Sequence, residues 1–438
     1  MDKFFKISAR GSTYGREIIG GLTTFLTMAY IIAVNPAMLS VAGVPFNAAL
    51  TATCFGAAIM TLAMGLIANR PIALASGMGI NAIVAYSITL GMGCDWRIAM
   101  ATVFIEGVVI LLLVICGLRK AIMNAIPVDL RRAIGIGIGL FIAFIGLKGG
   151  GLIVPDESTF VAIGDFTSPI VIVSLIAIAV AIICEALKIP GGLLISIIIA
   201  TIIGIPMGVT ITPESWEIGL DFSAFAAPFQ ANPASGTMAI VEVFVTPALL
   251  LMAFSLLMSD FFDTMGTVLA VGEQGEFVDE NGDIDNIQTI LAIDSAAAAV
   301  GGFIGASSIT SYVESVSGAA AGARTGLSNV LIALLFIVFA FAAPIVGMVS
   351  SSATCGALVV VGYLMMTDIA NIQWDKVEFA FPAFMTIVMI PLTYSITNGI
   401  GLGFISYVVV MIFKGKVAEI KPLMWVAAVA FLAMFIFA

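Results

Sequence analysis

The chain contains no histidine. That excludes His-ligated metal sites and the usual imidazole proton relay. Charge is scarce as well, at 10% of 438 residues. The five cysteines (Cys54, Cys94, Cys116, Cys184, Cys355) lack C-x-x-C spacing and lie mostly inside apolar runs. They read as core packing rather than as redox or metal ligands, so no metal and no cofactor is expected. The net charge of −10 comes from acids that are scattered or clustered in loops. It carries no nucleic-acid signal. Catalytic signatures are missing too. GIGIGLFIAFIG has glycines suited to close helix packing without the strand–turn–helix context of a dinucleotide fingerprint. DENGDIDN lacks the turn glycine and closing glutamate of a calcium loop. No G-x-G-D of an intramembrane aspartyl protease occurs, and an enzyme is disfavoured.

Apolar residues fill what is left. They make up 61% of the chain, and mean hydropathy is +1.18. Most fall into runs near the ~20 residues that a bilayer-crossing helix needs. The class is therefore an all-α polytopic membrane protein with the lipid bilayer as solvent. Spans are expected at 17–39, 46–68, 71–91, 97–118, 127–147, 168–187, 190–208, 242–271, 286–304, 306–323, 325–349, 352–368, 378–395 and 398–413. A further apolar stretch at 421–438 is left open between a tail helix and a crossing. With the N-terminus cytoplasmic, Arg70, Arg119, Lys120, Arg131, Arg132, Lys188, Arg324, Lys376, Lys414, Lys416 and Lys421 fall inside, and only Arg97 and Lys148 fall outside. The external 209–239 loop has no Lys or Arg, as the positive-inside rule expects.

Two spans are broken. PIALASGMGINAIVAY (71–86) is interrupted by Gly77 and Gly79, and GFIGASSITSYVESVSGAAAGARTG (302–326) by Gly305 and a Ser/Thr run. Each is the third span of a group of seven. Broken segments at matching positions in two halves point to a transporter of inverted repeats. The mid-span polar residues fall on these segments and on the eighth span: Asn81, Asp260 and Asp263 (three apart, hence on one helix face), and Glu314. Intramembrane acids are functional by default. Glu314 follows a break, so its carboxylate can lie beside half-helix N–H groups. Asn81 both donates and accepts, although it could equally bond a neighbouring helix. Phe261 and Phe262 add aromatic bulk, either a stacking wall or ordinary packing. Glu106 and Asp294 are further mid-span acids whose roles the sequence leaves open.

REIIGGLTTFLTMAYIIAVNP, ASGMGINAIVAY, SDFFDTMGT, TSYVESVSGAAAGARTG and PLTYSITNGIGLGFISYV resemble the purine-specific, AzgA-like branch of the nucleobase:cation symporter family 2, within the nucleobase–ascorbate transporter superfamily. The resemblance covers nearly the whole chain. It implies fourteen transmembrane segments in two inverted repeats of seven, with short β-strands in the broken third and tenth spans. It implies a core domain (1–119 and 240–349), a gate domain (120–208 and 350–438, the latter with a C-terminal tail helix) and the 209–239 external loop. Family substrate positions fall on Asn81, Asp260, Asp263 and Glu314. The activity implied is uptake of a purine nucleobase (adenine, guanine or hypoxanthine) across the cell (inner) membrane. Asn81, Glu314, Asp260, Phe261 and Phe262 would contact the base, and Asp260, Asp263 and Glu314 would handle a coupling proton. The uracil-type branch carries a histidine where Thr264 stands here, so an imidazole cannot serve in coupling. The oligomeric state is open, with a homodimer among the options.

Overall fold

The computed structural model describes residues 2–117, 126–213, 219–278 and 284–437. The Arg119–Lys120 pair and the 119/120 domain boundary lie outside the described residues, as do parts of the 209–239 and acidic 273–285 loops. Nine helical runs among the described residues are long and apolar enough to cross a bilayer: Tyr14–Val41, Phe46–Ala68, Trp96–Ile115, Val128–Gly149, Pro169–Ala186, Pro247–Gln274, Ile287–Ile304, Ser351–Asn371 and Ile396–Phe413. Met78–Gly91, Gly192–Gly204, Leu327–Phe339, Val377–Leu392 and Pro422–Ile436 are apolar but shorter. Side-chain caps set several starts. Thr13, Asp95, Ser350 and Ser395 accept from the backbone N–H of Arg16, Arg97, Ala353 and Asn398.

Several elements depart from the sequence expectations. The first span turns at Ala29–Tyr30, between helices Tyr14–Met28 and Ile31–Val41. The tenth contains only six helical residues, Ser315–Ala320, after a strand at Ile309–Ser311. The eleventh stops at Phe339 and restarts as the short helix Ala343–Val346, where Pro344 takes a first-turn position it could not hold mid-helix. A hairpin, Ile153–Asp156 with Phe160–Ile163, follows the fifth span. Its turn forms because Asp156 Oδ1 accepts from Ser158 N, Thr159 N and Thr159 Oγ1. The described part of the 209–239 loop is folded onto the protein. Phe225 and Phe229 pack edge-on against Phe303, and Gln230 accepts from Arg97 Nε at 2.8 Å. The tail is a helix, Pro422–Phe437, docked on Ile396–Phe413 through fully buried Phe431 and Phe404. Its 16 residues extend about 24 Å.

The helices form two packing groups. In one, Trp96–Ile115 packs on Ile287–Ile304, and Leu327–Phe339 on Tyr14–Met28 and Phe46–Ala63. In the other, Val128–Gly149 packs on Ser351–Met365 and Val377–Leu392, and Pro169–Ala186 on Ser351–Met365. Glycine permits the closest crossings, as expected between membrane helices. A Cβ on Gly107 would lie 2.2 Å from Ala299 N, and one on Gly356 would lie 2.3 Å from Ala177 O. Both obstacles are backbone, which cannot rotate away. Gly356→Val is therefore expected to cost at least the ~1–3 kcal/mol typical of overpacking. A lowered thermal midpoint in detergent checks this, and an unchanged one contradicts the crossing.

The broken spans meet at mid-molecule. Strand Leu74–Ser76 pairs antiparallel with Ile309–Ser311, in the register Leu74↔Ser311, Ala75↔Thr310, Ser76↔Ile309. Side chains satisfy the outer edges. Leu74 exchanges bonds with Thr61 Oγ1 in both directions, Ala73 N donates to Ser315 Oγ, and Ser76 Oγ donates to Ala306 O. Asn329 Nδ2 holds the approach to the first strand through the carbonyls of Thr61, Arg70 and Ile72. Buried backbone must find partners, and here it does so without a wider sheet.

Candidate functional site

Glu314 precedes the Ser315–Ala320 helix as its N-cap residue, but its side chain makes no capping bond. The half-helix N–H groups are therefore not its partner, contrary to the sequence expectation. Its Oε1 accepts instead from Tyr30 Oη at 2.7 Å. Tyr30 stands at the junction of the two helices of the first span and is 2% exposed. Beneath it, Ser317 Oγ donates to Glu314 O at 2.6 Å and lies 3.1 Å from Thr27 Oγ1. Glu314 is partly accessible, and its neighbour Val313 is 53% exposed. One carboxylate edge is thus held by a phenol, and an apolar side chain stands beside it.

Asp263 lies on the long Pro247–Gln274 helix and is open to solvent, as is Gly266 one turn on, where a Cβ would meet nothing within 4 Å. Asp263 is close enough to Glu314 and Asp294 for their charges to be felt. Asp260, three residues earlier, is 1% exposed and faces Glu106 instead. Positions three apart differ by about 60° around a helix. Here that rotation separates a wet carboxyl from a dry one, so the single acidic face expected from spacing is divided. Phe261 is also 1% exposed and sealed in packing, so it offers no stacking face to the opening. The Phe262 side chain lies outside the described residues.

Asp294 organises the strand crossing. Its Oδ2 accepts from Thr264 Oγ1 at 2.6 Å, and its Oδ1 accepts from Ser311 N at 2.8 Å and Ser311 Oγ at 2.7 Å. Thr264 and Thr310 hydroxyls are 2.9 Å apart. Thr264, the position that is histidine in the uracil-type branch, thus ties the eighth span to the second strand through Asp294. Sequence reasoning noticed Asp294 without finding this role, and it missed Tyr30. A tyrosine midway along an otherwise apolar first span was the available signal.

Asn81 follows the first strand on the Met78–Ala82 helix and is fully buried. Neither its Nδ2 nor its Oδ1 has a hydrogen-bond partner among the described residues. An unmatched buried amide costs about 1–3 kcal/mol per lost bond. The ion pairs Arg70–Asp285, Arg97–Asp95, Arg324–Glu276, Lys414–Glu378 and Lys416–Glu378 among the described residues do not involve Asp263 or Glu314. The arrangement offers carboxylate acceptors with an apolar side chain beside them, and a buried spare amide. It suits a neutral molecule rich in N–H and carbonyl groups better than an anion.

Both the fold and the sequence have known counterparts. The transmembrane domain of a cyanobacterial bicarbonate transporter, BicA, superposes with a TM-score of 0.66 at 16% identity, covering 88% of this chain and 97% of that one. At that identity the likeness shows a shared fold and nothing about cargo. Sequence relatives are nearer. The guanine/hypoxanthine permease PbuG of Bacillus subtilis is 40% identical over 100% of both chains. The adenine permease AdeP of Escherichia coli is 37% identical over 100% of this chain and 96% of its own. Residues 15–402 match the family model Xan_ur_permease, described as a permease family. This chain is therefore an integral membrane transporter, not an enzyme, and belongs to that permease family of nucleobase–ascorbate transporters.

Proposed function

We propose that the protein takes up a purine nucleobase by proton symport with alternating access, in the cell membrane. The observation that carries this reading is the Tyr30–Glu314 pair beside the accessible Asp263, with the unmatched Asn81 amide buried on the half-helix that follows the other strand. Relatives named guanine/hypoxanthine and adenine permeases supply the substrate class. Glu314 accepts N–H groups from the edge of the base, and Tyr30 holds the carboxylate in place. Asn81 provides one donor and one acceptor once the site closes on the base, and Val313 covers an apolar face. Carboxyls gathered in a low-dielectric interior do not all ionise, so Asp260, Asp263 and Glu314 hold protons between them.

The fourteen-span, two-repeat architecture belongs to the same reading, with a core of 1–119 and 240–349 moving against a gate of 120–208 and 350–438. The two packing groups support that division. A cytoplasmic N-terminus is supported by the way ion pairs gather Arg70 and Arg324 with Asp285 and Glu276 of the acidic loop, while Arg97 joins the 209–239 loop elsewhere.

Uptake of labelled adenine, guanine and hypoxanthine by purine-auxotrophic cells, with unlabelled competitors, tests the assignment. Accumulation is expected to collapse when an uncoupler removes the proton gradient. Accumulation that follows a sodium gradient and ignores the uncoupler would overturn the coupling. Absence of purine uptake would overturn the substrate.

A further inference from the structure

The Trp96–Ile115 helix carries an acid that the site above does not use. Glu106 is 1% exposed, and neither carboxyl oxygen has a hydrogen-bond partner among the described residues. The nearest hydroxyl on its own helix, Thr102 Oγ1, is engaged with Ile98 O at 2.9 Å. The helix's cation, Arg97, is held by Asp95 and Gln230. It is nine residues away, about 13 Å along the axis. Gly107 beside Glu106 is pressed on the backbone of Ala298 and Ala299, and Gly302 is pressed on Met100 and Phe104, which fixes this helix to Ile287–Ile304.

An ionised carboxylate in such a place costs several kcal/mol. Its neighbour Asp294 shows the contrast, since that carboxylate receives four donors and is equipped to stay charged. The titratable groups that face Glu106 are Asp260 from Pro247–Gln274 and Asp294 from Ile287–Ile304. From the other elements packed on its helix, Glu242 is bonded to Asn232 and Ser235, and Tyr86 is stacked edge-on with Phe141 and Tyr394. Asp294 is thus the acid near both Glu106 and accessible Asp263, and Asp260 is a second buried carboxyl near Glu106.

We infer that Glu106 is the resident site of the coupling proton, filled and emptied through the carboxyls that adjoin it. This rests on the symport reading above and adds to it a residue on the fourth span. Each transfer breaks an O–H bond on one carboxyl and makes one on the next. The proton comes from water at Asp263 and returns there, and no electron changes hands.

The test uses purified protein in detergent and in proteoliposomes, with Glu106→Gln and the conservative Glu106→Asp. Three quantities decide it: hypoxanthine, guanine or adenine binding by calorimetry, base-for-base exchange without a gradient, and accumulation driven by an imposed pH gradient. Glu106→Gln is expected to bind and exchange the base as the unaltered protein does but to stop at equilibration, while Glu106→Asp still accumulates. The infrared band of a protonated carboxyl that responds to base binding should vanish in Glu106→Gln. Accumulation by Glu106→Gln at the unaltered level would make the proton a fixture and overturn the inference. So would loss of binding or exchange in a folded, monodisperse Glu106→Gln, because the residue would then be structural. An unaltered protein that binds none of the three bases would instead sink the purine reading, and the infrared band would still report on Glu106.

Discussion

Glu314→Gln is expected to bind a purine base roughly ten- to a hundredfold more weakly than the unaltered protein. The carboxylate has acceptors to spare. Oε1 takes the Tyr30 hydroxyl, and the second oxygen remains for the base. An amide has one acceptor and one donor group. If its oxygen stays with Tyr30, its NH2 faces the N–H of the base, donor against donor. If it flips, Tyr30 Oη must turn round or lose its partner. A lost charge-assisted bond is worth ~1.5–3 kcal/mol, which gives the stated range. Tyr30→Phe keeps the carboxylate and removes only its anchor, so a smaller loss is expected. Calorimetry on the two variants separates the roles. Unaltered affinity in Glu314→Gln would remove that residue from the site.

Asp294→Ala is expected to have the largest effect on stability. The substitution removes the acceptor of Thr264 Oγ1, Ser311 N and Ser311 Oγ at once. The hydroxyls can rotate to other partners, whereas the Ser311 N–H is fixed by its strand. Each stranded donor costs about 1–3 kcal/mol, and an uncollapsed hole adds to that. Asp294→Asn keeps an oxygen for Ser311, and Thr264 Oγ1 can accept from the new NH2, so it should be milder. Thermal unfolding of the detergent-solubilised variants checks the order. Equal midpoints for Ala and Asn would show that the donors find other partners.

The breaks in the third and tenth spans were legible because glycine and small residues interrupt long apolar runs. At Gly305 the reason is direct: φ is +85°, and an added Cβ would lie 2.5 Å from Ala224. The acids were legible because carboxyls inside a membrane are rare. Their partners were not. Tyr30 is 284 positions from Glu314, and Ser311 is 17 from Asp294. Such pairings come from how helices pack, which no local pattern encodes. Helical spacing put Asp260 and Asp263 on one face but could not say where the boundary of the opening would cut that face. Nor could it show that Phe261 turns into the packing, since an aromatic ring suits either side. The 153–163 hairpin depended on Asp156 closing its turn, and the external loop's folding depended on Phe303 far along the chain.

The three-residue strand pairing also constrains kinematics. Leu74–Ser76 and Ile309–Ser311 come from opposite ends of the sequence, yet each supplies the other's backbone partners in a place where water cannot substitute. Pulling them apart would strand amides in a dry interior, so the joint behaves as a rivet. Asn81, five residues beyond one strand, and Glu314, three beyond the other, must then travel together. No cycle of this molecule can work by parting the two half-helices like jaws. The two half-helices are thereby one rigid piece, which Ile138 of the Val128–Gly149 helix abuts at Gly79.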